Sequence, residues 1–177
     1  MRNFFLLLLL GGLLATVALV VRAGLLARED PGQPINKAMR QVVNARNAKH
    51  WSEADEKLIA EKYPNAQKTE SGLLYIVTTP GEEGPTPSFG SRVTVNYEGR
   101  FLDGQKFDSS YDRKEPFTFT VGVGKVIKGW DEAFQTMKKG EKRTLIVPHW
   151  LGYGDKARPP IPPRATLVFD VELVSFR

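Results

Sequence analysis

In "TLVFDVELVSF", residues 166–176, Leu167, Phe169, Val171 and Leu173 alternate with Val168, Asp170 and Glu172. Successive side chains of a strand point to opposite faces, so this period of two specifies a half-buried strand and excludes a helix. The same pattern recurs in "RVTVNYEG", where Val93, Val95 and Tyr97 alternate with Thr94, Asn96 and Glu98, and in "PFTFTVG", where Phe117 and Phe119 alternate with threonines. "GLLYIVTTPG" and "RTLIVP" add two more strands, and Asp103-Gly104 in "FLDGQKF" is a tight-hairpin signal. Pro/Gly-rich stretches, "EEGPTPSFG" and "HWLGYGDKARPPIPPRA", read as loops.

One segment breaks the alternation. In "KGWDEAFQTMKKGEK", Trp130, Ala133, Phe134 and Met137 share a helical face, with Gly140 just past the end. Several antiparallel strands and one short apolar-faced helix predict an α+β domain over residues 71–177. Its sheet has one face covered by that helix and the other in water. Tyr97, Phe107, Phe117, Phe119, Trp130, Tyr153 and Phe169 exceed what so small a core needs. Together they point to an apolar cleft lined by rings.

The segment before this domain differs in kind. Residues from Asn3 to Val21 are uncharged and mostly apolar, long enough to cross a bilayer with little tilt. Residues 1–27 read as a retained single-pass anchor, because Val21-Arg22-Ala23 is a poor match to a cleavage site. A cleaved signal peptide stays open. Arg22, Arg28, Lys37 and Arg40 come after the run and only Arg2 precedes it. The positive-inside rule alone would leave the rest in the cytoplasm. An N-terminal signal-like segment commonly exports the chain behind it, and on that ground the domain is expected on the extracytoplasmic side of a membrane. Residues 28–70 read as a helical stalk. Ile35, Met39, Val42 and Val43 have helical spacing, Ser52 and Asp55 resemble a capping box, and Pro64 ends the pattern. A solvated spacer is the plainest reading of this stalk; a dimerisation or docking element is the alternative.

Composition narrows the chemistry. The net charge is +5, but the 25 basic residues are scattered among 20 acids with no basic stripe, which argues against nucleic-acid binding. With no cysteine there is no disulfide and no thiol nucleophile, and the two histidines, His50 and His149, lack ligand spacing. The densest polar cluster is "FDSSYDR", Phe107 to Arg113. Ser109 and Ser110 have no neighbouring histidine as base, and Asp108 and Asp112 lack the further carboxylates of a calcium loop.

"VTVNYEGRFLDGQKFDSSYDRKEPFTFTVGVGKVIKGWDEAF", "MKKGEKRTLIVP" and "IPPRATLVFDVEL" resemble, in order and spacing, the FKBP family of peptidyl-prolyl cis-trans isomerases. The resemblance covers about Ser71 to Arg177. It implies a curled antiparallel sheet wrapped around one short helix. It also implies a pocket built from Tyr97, Phe107, Asp108, Tyr153 and Phe169 as catalytic residues, with Arg113, Phe117, Val126, Ile127, Trp130 and Ile161 binding substrate. Trp130 would be the floor, and the Ile127 N–H and Tyr153 hydroxyl would take carbonyls of a bound peptide or macrolide. Two features depart from the family pattern. Lys125 stands where an acidic or amide residue is frequent, and the loop before Tyr153 and Pro162-Pro163 has altered spacing, with Arg158 and added prolines.

The implied reaction is a rotation. The barrier about an X–Pro bond is about 18–20 kcal/mol, because twisting breaks amide resonance. No bond is made or cut, so no nucleophile, metal or cofactor is required. A twisted amide is less polar than a planar one, and a water-poor aromatic cleft favours it. The partners implied are proline-containing polypeptides and macrolide-type inhibitors, with the membrane reached through the N-terminal helix. An accessory binding subunit of a membrane protein complex is the alternative role.

Overall fold

The computed structural model describes residues 49–177. The anchor and most of the helix read from Ile35 onward lie outside them. Among the described residues no helix is long and apolar enough to cross a membrane.

In chain order the elements are α1 (Glu53–Lys62), β1 (Gln67–Lys68), β2 (Leu74–Thr79), β3 (Arg92–Phe101), β4 (Lys106–Ser109), α2 (Ser110–Arg113), β5 (Phe117–Thr120), α3 (Lys128–Phe134), β6 (Lys142–Val147), a 3-10 helix (His149–Leu151) and β7 (Leu167–Phe176). The strands form one antiparallel sheet in the order β1-β2-β6-β7-β3-β4, with β5 also paired to β3. The expected α+β arrangement, an antiparallel sheet with few helices, is what forms.

Alternation places the core as its period requires. Val93 and Val95 are fully buried and Tyr97 nearly so, while Thr94, Asn96 and Glu98 are partly exposed. From β7, Leu167, Phe169, Val171 and Leu173 enter the same core, where Trp130, Ala133, Phe134 and Met137 of the α3 segment meet them. The regular part of α3 ends at Phe134, short of Met137, although Met137 is still fully buried. The Thr136 hydroxyl donates to the Ala133 carbonyl (2.9 Å), and the buried Arg143 guanidinium donates to the Thr136 carbonyl (2.9 Å) and hydroxyl (2.8 Å). Those bonds satisfy carbonyl and hydroxyl groups at the end of the helix, where no further turn does so. Glu141 neutralises Arg143 at 2.5 Å.

The other face of the sheet is not simply wet. Ile59 of α1 packs with Leu74, Leu102, Ile146 and Val168, flanked by Trp51, Tyr63 and Ala66. This corrects the picture of a solvated spacer running to residue 70. The compact unit takes in α1 as well as the sheet. Ser52 caps α1 by accepting from the Asp55 N–H at 3.0 Å, as its spacing predicts. Asp55 then accepts from the Thr166 hydroxyl (2.6 Å), and Lys62 donates to the Leu102 carbonyl (2.6 Å), both far along the chain. Polarity hid this contact in the sequence, since Ile59 is the one buried residue of α1. Trp51 adds an edge-on contact with Trp150 at 5.5 Å.

The 3-10 helix opens on His149, which is 6% exposed and has neither ring nitrogen hydrogen-bonded among the described residues. Its backbone carbonyl receives the Gly152 and Gly154 N–H groups, so this turn carries the chain on to Tyr153. Burial lowers the His149 pKa below its ordinary 6.5, and Arg164 pushes the same way, while Asp155 and Asp55 oppose.

Two outcomes are expected. Ile59→Ala costs about 2–5 kcal/mol of unfolding free energy in a denaturant titration; a negligible loss would mean that α1 does not dock. The unfolded chain binds a proton on His149 at higher pH than the folded chain does. The stability contribution is therefore present above about pH 6.5 and lost as pH falls through the lowered native value. Thermal unfolding between about pH 8 and about pH 5 should show this loss, and His149→Leu should flatten it.

Candidate functional site

A cleft of about 580 Å³ opens beside α3. Of the eleven residues predicted for the site, nine line it: Tyr97, Phe107, Asp108, Phe117, Val126, Ile127, Trp130, Tyr153 and Phe169. Trp130 is 5% exposed and sits at the hub of the rings. Its centroid is 5.0 Å from Tyr97, 5.2 Å from Phe169, 5.4 Å from Phe134 and 6.2 Å from Phe117. Phe119, singled out with these aromatics, supports the cleft from beneath, 5.8 Å from Trp130.

Strand geometry explains how consecutive residues Phe107 and Asp108 both face the cleft. On a regular strand they would point to opposite faces. The β3–β4 register jumps, however. Gly99 pairs with Asp108 and Arg100 with Lys106, which leaves Phe107 as the extra residue of a bulge. Bulges re-aim side chains in this way. Gly99 itself pairs with Asp108 on one side and Phe169 on the other. A Cβ there would lie 2.8 Å from the Phe107 ring and 2.9 Å from the Phe169 ring. The two walls close over Gly99 because it has no side chain. Sequence reasoning missed it; the tight Tyr97-x-Gly99 spacing was the available signal.

The polar rim is a three-residue network. Asp108 accepts from the Tyr97 hydroxyl through one carboxylate oxygen and from Arg113 through the other. Arg113 also donates to the Tyr97 hydroxyl oxygen at 2.9 Å, and its guanidinium lies 5.5 Å from the Tyr97 ring centre. Burial, then the bond to Asp108, raises the Tyr97 pKa above 10, so the hydroxyl remains a donor at neutral pH. Bonds to Tyr97 and Asp108 raise the Arg113 pKa further. Arg113 thus stands behind the rim and orients it.

The serines of this stretch are structural. Ser109 caps α2, accepting from the Tyr111 and Asp112 N–H groups at 3.2 and 3.3 Å. Ser110, 1% exposed, accepts from the Tyr97 N–H at 2.9 Å and donates to the Tyr97 carbonyl, locking α2 onto β3. Lys114 ends the turn in the left-handed region, φ 56°.

Across the cleft, Asp131 fixes the approach to α3. Its carboxylate accepts from the Gly122 and Gly124 N–H groups, both at 2.8 Å. The Ile127 carbonyl accepts from Trp130 and Asp131 N–H groups, while the Ile127 N–H has no partner among the described residues. Asp131 was not among the expected site residues, although its place in "GWDE" is one turn into the helix.

Ile161 is not on this cleft. It lines a neighbouring cavity of about 890 Å³ on the other side of Phe107, together with Pro159, Pro160, Pro162 and Pro163. Its backbone pairs with Arg158 (2.8 and 2.7 Å), and Arg158 in turn lies 5.2 Å over the Tyr153 ring. Gly124, Lys125, Lys128, Gly152 and Arg158 complete the cleft lining.

The family model of FKBP-type peptidyl-prolyl cis-trans isomerases matches residues 84–174. Peptidyl-prolyl cis-trans isomerase FKBP4 of Mus musculus is 49% identical over 111 residues, 62% of this chain and 24% of the relative. The chain thus spans about a quarter of the length of that relative. An FK506-binding protein of Neisseria meningitidis serogroup C is 57% identical over 86 residues, 48% of this chain and 79% of the relative. The crystal structure of FkpA from Escherichia coli superposes with a TM-score of 0.64 at 39% identity, covering 80% of this chain and 66% of that one. With its match to the family model and its identity to that Neisseria protein, the chain belongs to the FKBP-type peptidyl-prolyl cis-trans isomerase family.

Proposed function

We propose that the chain catalyses rotation about X–Pro bonds of polypeptides and so assists their folding. The observation that carries this reading is the cleft itself: a wall of rings around Trp130, rimmed by Asp108, Tyr97 and Arg113. Both serines near that rim are committed to capping and strand locking. A proline ring fits against the indole, and the apolar walls favour the less polar twisted amide. In this reading the Ile127 N–H, unpartnered among the described residues, takes one flanking carbonyl and the Tyr153 hydroxyl another. The Asp108 carboxylate, held by two donors, supplies a fixed negative pole beside the rotating carbonyl. A macrolide of the FK506 type is proposed as a competing ligand, in keeping with the name of the Neisseria relative.

The role in the cell extends the proposal. The uncharged run from Asn3 to Val21 supports a single-pass anchor that holds the isomerase domain at a membrane, on its extracytoplasmic side. N-terminal sequencing of the mature chain and protease protection of vesicles test this. A mature chain that starts beyond the apolar run would contradict the anchor. A domain sealed inside right-side-out vesicles would contradict the side.

For the activity, a protease-coupled assay on short proline peptides with the full chain should show acceleration over the thermal rate. Trp130→Leu and Asp108→Asn should each lower kcat/KM about tenfold, equivalent to about 1.4 kcal/mol. Ser109→Ala should cost about 1 kcal/mol of stability through the lost cap with a much smaller effect on rate. No acceleration overturns the reading; equal rate losses in all three variants overturn the cleft assignment.

A further inference from the structure

Exposed cationic side chains cluster around the cleft. Lys125, Lys128 and Arg158 line it and are exposed. Among the described residues neither lysine has an ion-pair or hydrogen-bond partner, and the Arg158 guanidinium faces the Tyr153 ring and no carboxylate. The floor adds a buried indole N–H, Trp130 Nε1, and like the Ile127 N–H it has no hydrogen-bond partner among the described residues.

The negative side is spent. Among the described residues that line the cleft, Asp108 is the one carboxylate, and both its oxygens are taken, by Arg113 and the Tyr97 hydroxyl. Acids nearby are engaged as well: Asp131 holds the Gly122 and Gly124 amides, Asp112 holds Lys106 at 2.6 Å, and Asp155 holds Arg164 at 3.2 Å. The face that meets a bound peptide is therefore cationic and rich in donors.

We propose that the cleft selects polypeptide segments carrying a carboxylate side chain next to the proline, with Lys125, Lys128 and Arg158 as the residues that set this preference. For its substrate class the proposal rests on the isomerase reading. Three cations around one mouth raise the local concentration of an anionic segment and slow its release. Lysine-flanked prolines meet the same charges as repulsion, and that repulsion contributes as much to selection as the attraction does. Exposed charges interact through water, and salt shortens their reach to about 8 Å at physiological ionic strength. A preference made this way fades as salt rises, whereas one made by shape does not.

The test uses the full chain and three matched sets of peptides, with Glu, Gln or Lys immediately before or after the proline. Isomerisation is followed by exchange NMR, and binding by fluorescence titration. At low salt kcat/KM should fall from Glu to Gln to Lys, with about a tenfold spread between the ends. The spread should shrink toward unity in about 0.5 M NaCl, where screening reaches only a few ångströms. Lys125→Glu and Arg158→Glu should each narrow or invert the Glu-to-Lys ratio, and Lys125→Arg should keep it. Equal values for the three peptides at low salt, with the Gln peptide still accelerated, overturn this proposal and leave the isomerase reading intact. If no peptide is accelerated, the isomerase reading fails, and the binding order then decides the charge preference alone: Glu tightest supports it, equal or reversed order overturns it.

Discussion

Strand β3 is spine and wall at once. One edge pairs with β7 along nearly its whole length, and the other is shared between β5 and β4. Where β4 joins, the strand must also let two aromatic rings close over it, and only a residue without a side chain leaves room. Gly99 meets both demands. Its backbone registers Asp108 and Phe169 on either side, and the space above it is filled by Phe107 and Phe169 in edge-to-face contact at 5.7 Å. Fold and cleft are therefore not separable layers of design: the hydrogen-bond register that builds the sheet also aims the walls.

The rim illustrates how hydrogen bonding divides labour within seven residues. A buried hydroxyl without a partner is costly, so each one must be satisfied locally. Ser109 and Ser110 do this through backbone groups, which immobilises α2 against β3. Arg113, at the end of that turn, is thereby brought back over Tyr97 and Asp108. Opposite, the mouth has donors that lack acceptors among the described residues. The cleft is thus hydrogen-bonded within itself along one side, and offers unpaired donors to a ligand's oxygens on the other.

Much of this was legible in the sequence. Period-two alternation placed β3, β5 and β7, and the Trp130, Phe134 and Met137 face placed the helix that covers the core. The sheet's second cover was not legible, because α1 contributes a single buried side chain, Ile59, amid acids and lysines. Its docking is a tertiary matter of Asp55 meeting Thr166 across 111 positions of chain. The Phe107 bulge was invisible for a related reason: alternation says which face a residue takes only while the register is regular. Ile161 lay beyond reach because it sits in a proline-rich loop whose path no periodicity governs.

The placement of α1 has a mechanical side. The chain enters the described domain through Trp51 and Ser52, and any pull from upstream meets α1 before it meets the sheet. That helix is fastened by an apolar contact at Ile59 and by side-chain bonds at Asp55 and Lys62 to segments widely separated in sequence. Load is thus spread over the β7 approach and the β3–β4 hairpin instead of being drawn through one strand. Phe107 of that hairpin shares a cavity with Asp55 and Leu58 of α1, so the helix also abuts one wall of the cleft. A tug on the upstream chain would thus have to dislodge α1 at several points before it drew on any single strand of the sheet.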